Sequence, residues 1–452
     1  MNWATRTDDN MMVKGAIPRR VERVAVSANG RLSVGVLVDL HRGTAAGGHV
    51  KCWERLAEAA GGEDLDLTVY FLGNCAGTES LTENVRYVTV RPLLGTERIP
   101  FLGQIAAHTD LAPLQPAVFD ALRKHHVLHS TDAYFSLART ALFLAQRDRR
   151  ALVSSVHTDT PAYTRVYSQQ VLRRIFGKGM AGRFVLERWR WQDRLAKGKQ
   201  RQLERYLACC DWKMAAEEGD RNASRRPMHE RWSVLRRGID KEFFHPRRRD
   251  RERLRGEFGI GHDRLVLLFA GRVDQGKDVM TLARATRILA DRGVPVHAVF
   301  AGEGSQREEI RRLLGDRASL PGIVEQNQLA WLYASADLFV FPSQIEISPN
   351  VVLESQASGL PVLVSSTGGS RRMIRQPGRV GSVKDSEDSF VWAETIEALW
   401  HQPEHRATLG RQARDSIEKD WPSWGEVLRE DLLPVWRHVA AERGLWTERR
   451  SR

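Results

Sequence analysis

The chain has 452 residues, 42% of them hydrophobic and 28% charged, and a formal net charge of +13 at pH 7. These values are typical of a globular protein with two or three domains, and they exclude a chain that is disordered along its whole length. The four cysteines have neither the spacing of a metal site nor the density of a disulfide framework. We therefore expect a protein of a reducing compartment, the cytoplasm.

A run of about eighteen apolar residues, the length that a membrane-spanning helix needs, does not occur in the sequence. The start of the chain also has no apolar stretch of the length found in signal peptides. The positive charge is uneven, because residues 165–205 contain twelve Lys or Arg and three Asp or Glu, an excess of nine. Anionic lipid and nucleic acid both fit such a segment, but no helix-turn-helix, zinc-finger or aromatic RNA-binding motif accompanies it.

In chain order, the first half begins with the apolar strand RLSVGVLVDL, the loop HRGTAAGGH and the helix VKCWERLAEAA. Further strands of this half are predicted at 66–74, 85–90, 127–131 and 151–158. A charge run with a proline at 234–252 is typical of a linker. In the second half, strands are predicted at 264–271, 294–304, 338–341 and 360–366, and helices at 278–293 and 327–337. This alternation predicts α/β domains with parallel sheets.

Two glutamates, Glu346 and Glu354, lie eight residues apart across the start of a helix predicted at 351–358. Buried strands are predicted on both sides of this helix, and ligands of parallel sheets bind beyond the carboxyl ends of the strands. Residues 343–350 should therefore face a cleft, where the free N–H groups of the helix start suit an anion. The pattern predicts a ligand site, although two glutamates at this spacing also occur by chance.

A second candidate site is the loop GRVDQGKD at 271–278, which places Arg272 and Lys277 after a predicted strand. Arg offers a fork of donors and Lys a compact charge, and together they bind phosphates and offset the charge of a leaving diphosphate. Taken alone, an Arg and a Lys in such a loop are more often solvated side chains.

The glutamate pair, followed by ASGLPV at 357–362, resembles the retaining glycosyltransferases of family 4, the glycosyl transferases group 1, which include sucrose synthase, bacterial phosphatidylinositol mannosyltransferases and sulfolipid synthases. The GRVDQGKD loop matches the GRxxxxKG pattern of that family at both charges, with Asp278 where glycine is usual. The chain also departs from the family at 347–349, where ISP stands in place of the usual Gly and Phe. The resemblance covers about residues 30–440.

For the fold, the resemblance implies an α/β protein of the GT-B class, with two facing Rossmann-like domains and the active site between them. The expected divisions are an N-terminal extension at 1–29, an acceptor-binding domain at 30–236, a nucleotide-sugar-binding domain at 237–425, and a C-terminal crossing helix with a tail at 426–452. Trp421 and Trp424 are then expected to be packing anchors rather than ligand contacts.

The resemblance also implies roles for individual residues. The residues expected to take part in catalysis are Glu346, His157, Arg272 and Lys277, and those expected to bind the donor are Gly47, Gly48, Arg272, Lys277, Gly302, Gly304, Ser348, Asn350, Val351 and Glu354. Glu346 would orient the hydroxyls of the donor sugar and Glu354 the ribose. The glycines, with Gly368 and Gly369, also fit plain turns. No metal and no other cofactor is expected, because Arg272 and Lys277 would take the place of a metal.

His157 opens HTDTPAYT, which resembles the SYHTxxPxY element of sulfolipid synthases and related glycolipid mannosyltransferases. Taken alone, a histidine after an apolar strand is more often a hydrogen-bonded turn residue. RRGID at 236–240 resembles the same subgroup. The residues expected to contact the acceptor are His157, Asp159, Tyr163 and Thr131.

The resemblance implies a retaining hexosyltransferase that moves a sugar from a nucleotide-diphosphate sugar to a hydroxyl of a membrane lipid or lipid-linked saccharide. The segment after His157 predicts peripheral binding to the inner face of the cytoplasmic membrane through Arg173, Arg174, Lys178, Arg183, Arg188, Trp189, Arg190 and Trp191. The other interpretation is that its apolar face packs on its own domain. The alternative function is an inactive glycosyltransferase-like scaffold that binds anionic lipid or nucleic acid.

Overall fold

The computed structural model describes residues 30–43, 47–96, 109–157, 191–216, 231–375, 381–384 and 388–447, together with residues 160, 164, 168 and 378. Within these ranges the strands form two separate sheets, and each sheet has its own hydrophobic core. The two-domain α/β fold with parallel sheets that the sequence predicts is confirmed.

The first sheet has, in the described part of the chain, eight strands in the order β3-β4-β2-β1-β5-β6-β7-β8. They are β1 (Leu32–His41), β2 (Leu65–Leu72), β3 (Gly77–Ser80), β4 (Val85–Val90), β5 (Val127–Ser130), β6 (Ala151–Ser155), β7 (Trp212–Ala215) and β8 (Trp232–Val234). All neighbouring pairs are parallel except β3 and β4 at the edge. β1 is central and buried on both faces, which explains why most of its residues are apolar on both faces rather than in alternation.

The helices described in the first domain are α1 (Gly48–Ala59), α2 (Phe119–Leu122), α3 (Ser136–Asp148) and α4 (Trp191–Ala208). α1 connects β1 to β2, so it begins at the carboxyl end of the central strand. The start of α3 is held by the buried carboxylate of Asp39, which accepts hydrogen bonds of 2.8 Å from the N–H groups of Leu137 and Ala138.

The second sheet has, among the described residues, six parallel strands in the order β11-β10-β9-β12-β13-β14. They are β9 (Leu265–Ala270), β10 (Val296–Ala301), β11 (Ala318–Gly322), β12 (Leu338–Phe341), β13 (Val362–Ser365) and β14 (Gly381–Lys384). The helices are α5 (Arg251–Phe258), α6 (Val279–Asp291), α7 (Arg307–Leu314), α8 (Gln326–Ser335), α9 (Asn350–Ala357), α10 (Ser389–Trp400) and α11 (Pro403–Asp420). The strand order reverses direction at β9, between β10 and β12, which is the switch point where ligands of such sheets bind.

The end of the chain returns to the first domain. α12 (Trp424–Val427), a π-helical turn (Leu428–Leu432) and α13 (Leu433–Glu442) contribute their apolar side chains to the core beneath β1 and α1. Trp421 is buried in the core of the second domain and Trp424 in that of the first, so both are packing anchors, as predicted.

The linker predicted at 234–252 is not a solvated connection. Arg236 donates to the carboxylate of Asp431 at 2.7 Å, and Arg237 is only 7% exposed and donates to the sulfur of Cys52. The charge run therefore contains two arginines that join the linker to the C-terminal segment and to α1.

Most of the basic segment predicted to bind a membrane lies outside the described residues, as do the predicted acceptor residues Asp159 and Tyr163. The described end of that segment is α4, which begins at Trp191. Here Ala196, Leu203 and Tyr206 are buried on their own domain. The residues predicted to contact the membrane end where α4 begins, so peripheral binding and internal packing of their apolar face both remain predictions. Among the described helices, none has both the length and the apolar character needed to cross a bilayer.

Candidate active site

The predicted phosphate loop lies beyond the carboxyl end of β9 and closes with a 3-10 turn, Gln275–Lys277. Asp278 follows this turn and precedes α6 with a φ of 52°, in the left-handed region that favours glycine. This conformation is the physical reason why glycine is usual at this position of the motif. Asp is one of the residues that adopt it most readily after glycine, so the departure from the motif leaves the loop intact.

Lys277 and Glu346 bring the phosphate loop and the glutamate motif together. Their side chains form an ion pair and are only 13% and 14% exposed. Ser343 donates a second hydrogen bond, of 3.3 Å, to the same oxygen of Glu346. Burial alone would raise the pKa of Glu346, but the charge of Lys277 and the hydrogen bonds from Lys277 and Ser343 hold that pKa below its ordinary value. Glu346 is therefore ionised at neutral pH and can only accept hydrogen bonds, which suits the hydroxyl groups of a sugar.

Arg272 is the more accessible cation of the loop. Its side chain is 42% exposed, and its guanidinium lies 3.3 Å from the carboxylate of Asp274. The other oxygen of Asp274 is buried and has no hydrogen-bond partner among the described residues. Each of the two loop cations is thus paired with a carboxylate, so an incoming diphosphate has to compete with Asp274 and Glu346 for them.

Glu354 has the opposite electrostatic environment to Glu346. It lies on α9 and accepts a hydrogen bond of 3.2 Å from the hydroxyl of Tyr333 on α8. Burial raises the pKa of Glu354 to about 7, although the hydrogen bond from Tyr333 and the charge of Arg55 act in the other direction. Arg55 belongs to α1, so a charge of the first domain influences the pKa of Glu354 in the second. At neutral pH, the carboxylate and the carboxylic acid forms of Glu354 are therefore both populated.

The turn containing Gly302 and Gly304 packs against the phosphate loop. A Cβ on Gly302 would lie 1.8 Å from the carbonyl oxygen of Gly271, and one on Gly304 would lie 2.2 Å from that of Val273. The φ of Gly302, 152°, also favours glycine. Packing against the phosphate loop therefore explains why both positions are glycine, and this turn sets the position of the backbone next to Arg272.

Gly368 and Gly369 support the glutamate motif in the same way. A Cβ on Gly368 would lie 2.4 Å from the carbonyl oxygen of Gln344, and one on Gly369 would lie 1.6 Å from that of Ile347. The N–H of Gly369 donates to the carbonyl oxygen of Glu346 at 2.5 Å. This pair holds the loop that presents Glu346.

Gly47 and Gly48 have no such constraint. No atom of the described chain lies within 4 Å of a Cβ on Gly47, and the nearest atom to a Cβ on Gly48 is the amide nitrogen of Asn350, at 3.8 Å. Neither glycine has a positive φ. Their small size is therefore not required by the packing of the described residues, in contrast to the other glycines of the site.

Two side-chain contacts join the domains at this edge. The amide of Asn350, the first residue of α9, donates to the carbonyl oxygen of Gly48 at 3.3 Å. The guanidinium of Arg55 donates to the side chain of Gln326 at the start of α8. The glycine loop of the first domain thus lies directly against the helix between Glu346 and Glu354.

His157 lies behind this glycine loop. Its ring stacks on the ring of His49, the second residue of α1, with centroids 4.5 Å apart and an interplanar angle of 15°. Its Nε2 is 2.7 Å from the hydroxyl oxygen of Ser155. Because Gly48 precedes His49 and contacts Asn350, the structure brings His157 to the same interface as the glutamate motif.

The remaining predicted residues are divided. Ser348 is buried in the loop before α9, and Val351 is its second residue, next to Asn350. Thr131 is 1% exposed, and its hydroxyl donates to the carbonyl oxygen of Leu37 at 3.0 Å. Its hydroxyl proton is thus used in a contact inside the first sheet, and its expected role at the acceptor remains a prediction.

The sequence does not identify several side chains that hold the site. Ser343 and Tyr333 bond the two glutamates, Asp274 pairs with Arg272, and His49 stacks on His157. Ser343 and Asp274 lie in the loops after predicted strands and could have been inferred from that position, whereas Tyr333 and His49 reach the site only through the packing of helices. In the described ranges, no group of three or more His, Cys, Asp or Glu side chains could hold a metal ion.

Comparison with known proteins supports this arrangement. Residues 250–416 match the family model described as glycosyl transferases group 1. The sequence is 33% identical to the sulfoquinovosyl transferase SQD2 of Arabidopsis thaliana over 199 residues, which is 43% of this chain and 38% of that protein. The chain spans about half, or less, of the length of the curated relatives it matches.

Two solved structures have the same fold over nearly the whole chain. The structure of Anabaena Alr3699/HepE in complex with UDP-glucose matches with a TM-score of 0.61 and 16% identity, over 91% of this chain and 99% of that one. WaaG, a glycosyltransferase involved in lipopolysaccharide biosynthesis, matches with a TM-score of 0.59 and 18% identity, over 90% and 99%. The overall fold is thus that of the GT-B glycosyltransferases.

Proposed function

We propose that this chain, whose residues 250–416 match the glycosyl transferases group 1, is a retaining hexosyltransferase that uses a nucleotide-diphosphate sugar as donor. The observation that carries the proposal is the contact between the Lys277 and Glu346 motifs at the carboxyl edge of the second sheet, directly opposite the glycine loop of the first domain. A cation suited to a diphosphate and a carboxylate suited to sugar hydroxyls support this proposal, because they form an ion pair close to a contact between the domains.

The donor would lie with its diphosphate on the loop of Arg272 and Lys277 and its sugar on Glu346. The unconstrained glycines at 47 and 48 support this placement, because a backbone without a Cβ can approach phosphate oxygens closely. Glu354, four residues beyond Asn350, would bind the ribose hydroxyls. The complex of HepE with UDP-glucose supports a nucleotide sugar as the ligand of this fold.

For the chemistry, we propose front-face attack of the acceptor hydroxyl on the anomeric carbon. The bond between that carbon and the diphosphate oxygen breaks as the new glycosidic bond forms, and the leaving diphosphate takes the proton of the acceptor. Arg272 and Lys277 would stabilise the charge that develops on the diphosphate. Their positive charge would replace that of a metal ion, so the reaction would need none.

The proposed acceptor is a hydroxyl of a membrane lipid or lipid-linked saccharide. The name of SQD2 and the role of WaaG in lipopolysaccharide biosynthesis support this class. Peripheral binding through the basic segment is tested by co-sedimentation with vesicles. We expect pelleting with anionic vesicles at low salt, release at high salt because the charges are screened, and no pelleting with neutral vesicles. Equal pelleting with both kinds of vesicle would contradict the electrostatic attachment.

The test of the activity is a panel of nucleotide sugars incubated with the purified protein and a membrane extract, with release of nucleoside diphosphate as the readout. We expect one donor to be turned over by the wild type and by Glu309→Gln, an exposed control on α7, and not by Glu346→Gln. The anomeric configuration of the product tests retention, and an assay in a chelator tests metal independence. Absence of turnover with every donor would refute the proposal.

A further inference from the structure

Four polar side chains form a continuous hydrogen-bonded line through the core of the first domain. The indole nitrogen of Trp436 lies 2.9 Å from Nδ1 of His129, Nε2 of His129 lies 2.8 Å from the hydroxyl oxygen of Ser155, and that oxygen lies 2.7 Å from Nε2 of His157. The first three residues are at most 1% exposed and His157 is 8% exposed. The line thus leads from the C-terminal helix α13 to the predicted catalytic histidine.

The chemistry of the indole gives this line a direction. The indole N–H can donate and cannot accept, so Nδ1 of His129 must accept and carries no proton. His129 is therefore neutral and carries its proton on Nε2. Burial, which lowers the pKa of His129 to about 3, is consistent with the neutral form. The Nε2–H group of His129 then donates to Ser155.

The hydroxyl of Ser155 continues the same donor-to-acceptor direction toward His157. Ser155 already accepts from His129, and among the described residues the other partner of its hydroxyl is Nε2 of His157. If His157 also donated to Ser155, the hydroxyl proton would be buried without an acceptor, which is unfavourable. Ser155 therefore donates to Nε2 of His157, and the proton of His157 lies on Nδ1.

The ring of His157 is held in place by its neighbours. His49 stacks on one face, and Trp53 contacts it edge-on with centroids 5.8 Å apart. Burial, followed by electrostatic interactions with His49 and Arg237, holds the pKa of His157 well below its ordinary value, so the ring stays neutral. Orientation, charge and tautomer are thus all restricted.

We infer that Trp436, His129 and Ser155 are positioning residues that fix His157 as the neutral tautomer with its proton on Nδ1. The nitrogen outside the line is then a hydrogen-bond donor. It can bind an oxygen of the donor sugar or of the acceptor, and it cannot take a proton from either. This inference rests on the proposed function for its catalytic consequence, and on the hydrogen-bond geometry alone for the tautomer.

The tautomer is measured by NMR of protein labelled with nitrogen-15 in histidine, in which the protonated and unprotonated ring nitrogens have distinct shifts. A His157→Gln variant assigns the signals. We expect the wild type to have the unprotonated nitrogen at Nε2. In Trp436→Phe, which removes the indole N–H, both directions of the line become available, and we expect the signals of His157 to shift toward a mixture of tautomers.

Trp53→Phe is the matched control. Trp53 belongs to the same core cluster and also contacts His129, with centroids 5.0 Å apart, but its indole nitrogen has no hydrogen-bond partner among the described residues. The Trp53→Phe substitution removes a similar apolar volume without breaking the hydrogen-bonded line, so the tautomer of His157 should not change. A wild-type His157 protonated on Nε2, or identical spectra of the two Trp variants, would overturn the inference.

Turnover separates this inference from the proposed function. We expect kcat/KM to fall about tenfold in Trp436→Phe and in Ser155→Ala, the factor that one hydrogen bond supplies, and less in Trp53→Phe. If the tautomer responds to Trp436→Phe but the wild type turns over no nucleotide sugar, the positioning of His157 stands and the proposed function fails. If turnover is found but the two Trp variants are equally active, the catalytic role of the line is refuted.

Discussion

The raised pKa of Glu354 makes a specific prediction for Glu354→Gln. The glutamine keeps an oxygen that can accept from Tyr333 but has no charge. In the wild type, the folded-state pKa is about 7 and the ordinary value is 4.5. The folded protein therefore binds more protons than the unfolded chain between these two values, so the free energy of unfolding falls as the pH rises through this window.

The size of this effect follows from the shift. A difference of 2.5 pKa units, from 4.5 to about 7, corresponds to at most about 3 kcal/mol above pH 7, since one unit is worth about 1.36 kcal/mol. The substitution removes this dependence. We expect Glu354→Gln to gain about 2 to 3 kcal/mol relative to the wild type between about pH 5 and about pH 8.

The assay is urea unfolding of both proteins at the two pH values. Glu346→Gln provides a comparison without this dependence, because the pKa of Glu346 is lowered from 4.5 and its contribution to stability is lost only as the pH falls below about 4.5; its stability difference from the wild type should hardly change between the two pH values. If Glu354 binds the ribose as a carboxylate, the affinity of the wild type for the donor should also rise through pH 7, and that of Glu354→Gln should not. Equal stability differences at both pH values would refute the reasoning.

Three further substitutions test the site and the fold. Glu346→Gln should abolish turnover while the circular dichroism spectrum stays unchanged, and an active variant would contradict the assigned role. Gly302→Ala should lower the free energy of unfolding by about 3 kcal/mol or more, because its Cβ would lie 1.8 Å from a carbonyl oxygen. Gly293→Ala is the control, because Gly293 has a positive φ but nothing lies within 4 Å of its Cβ, and it should cost about 1 kcal/mol in urea unfolding. Equal losses in the two variants would refute the steric argument. Arg236→Ala leaves the side chain of Asp431, which is 8% exposed, without its main partner. The substitution should lower the free energy of unfolding by about 2 kcal/mol and speed proteolysis of the C-terminal segment. An unchanged cleavage rate would contradict this prediction.

The strands could be predicted where burial leaves a clear pattern. β12 begins and ends at the predicted residues, 338 and 341, because all four of its side chains are buried apolar groups between two neighbouring strands. β3, by contrast, has the sequence GTES with all four residues exposed, so no apolar pattern marks it. β8 has three residues, too short for an alternation to be recognised.

The site could be predicted as a set of motifs but not as a set of contacts. Lys277 and Glu346 each belong to a recognisable pattern, yet their ion pair joins residues 69 positions apart. Trp436 and His129 are 307 positions apart, so their hydrogen bond depends on the path of the whole chain. For Thr131, the motif indicates the acceptor site, and the structure adds a hydrogen bond to Leu37 that the motif does not predict.

The return of the C-terminal segment determines the order in which the protein can complete its folding. A ribosome makes the chain from its N-terminus, so α12 and α13 emerge only after the second domain has been synthesised. Until then, the face of the first sheet that contains Val36 and the adjoining side of α1 with Trp53 lack the cover that Trp436 and its neighbours provide. The domain that is translated first is therefore finished last, and a fragment ending at residue 236 would expose an apolar surface and tend to aggregate.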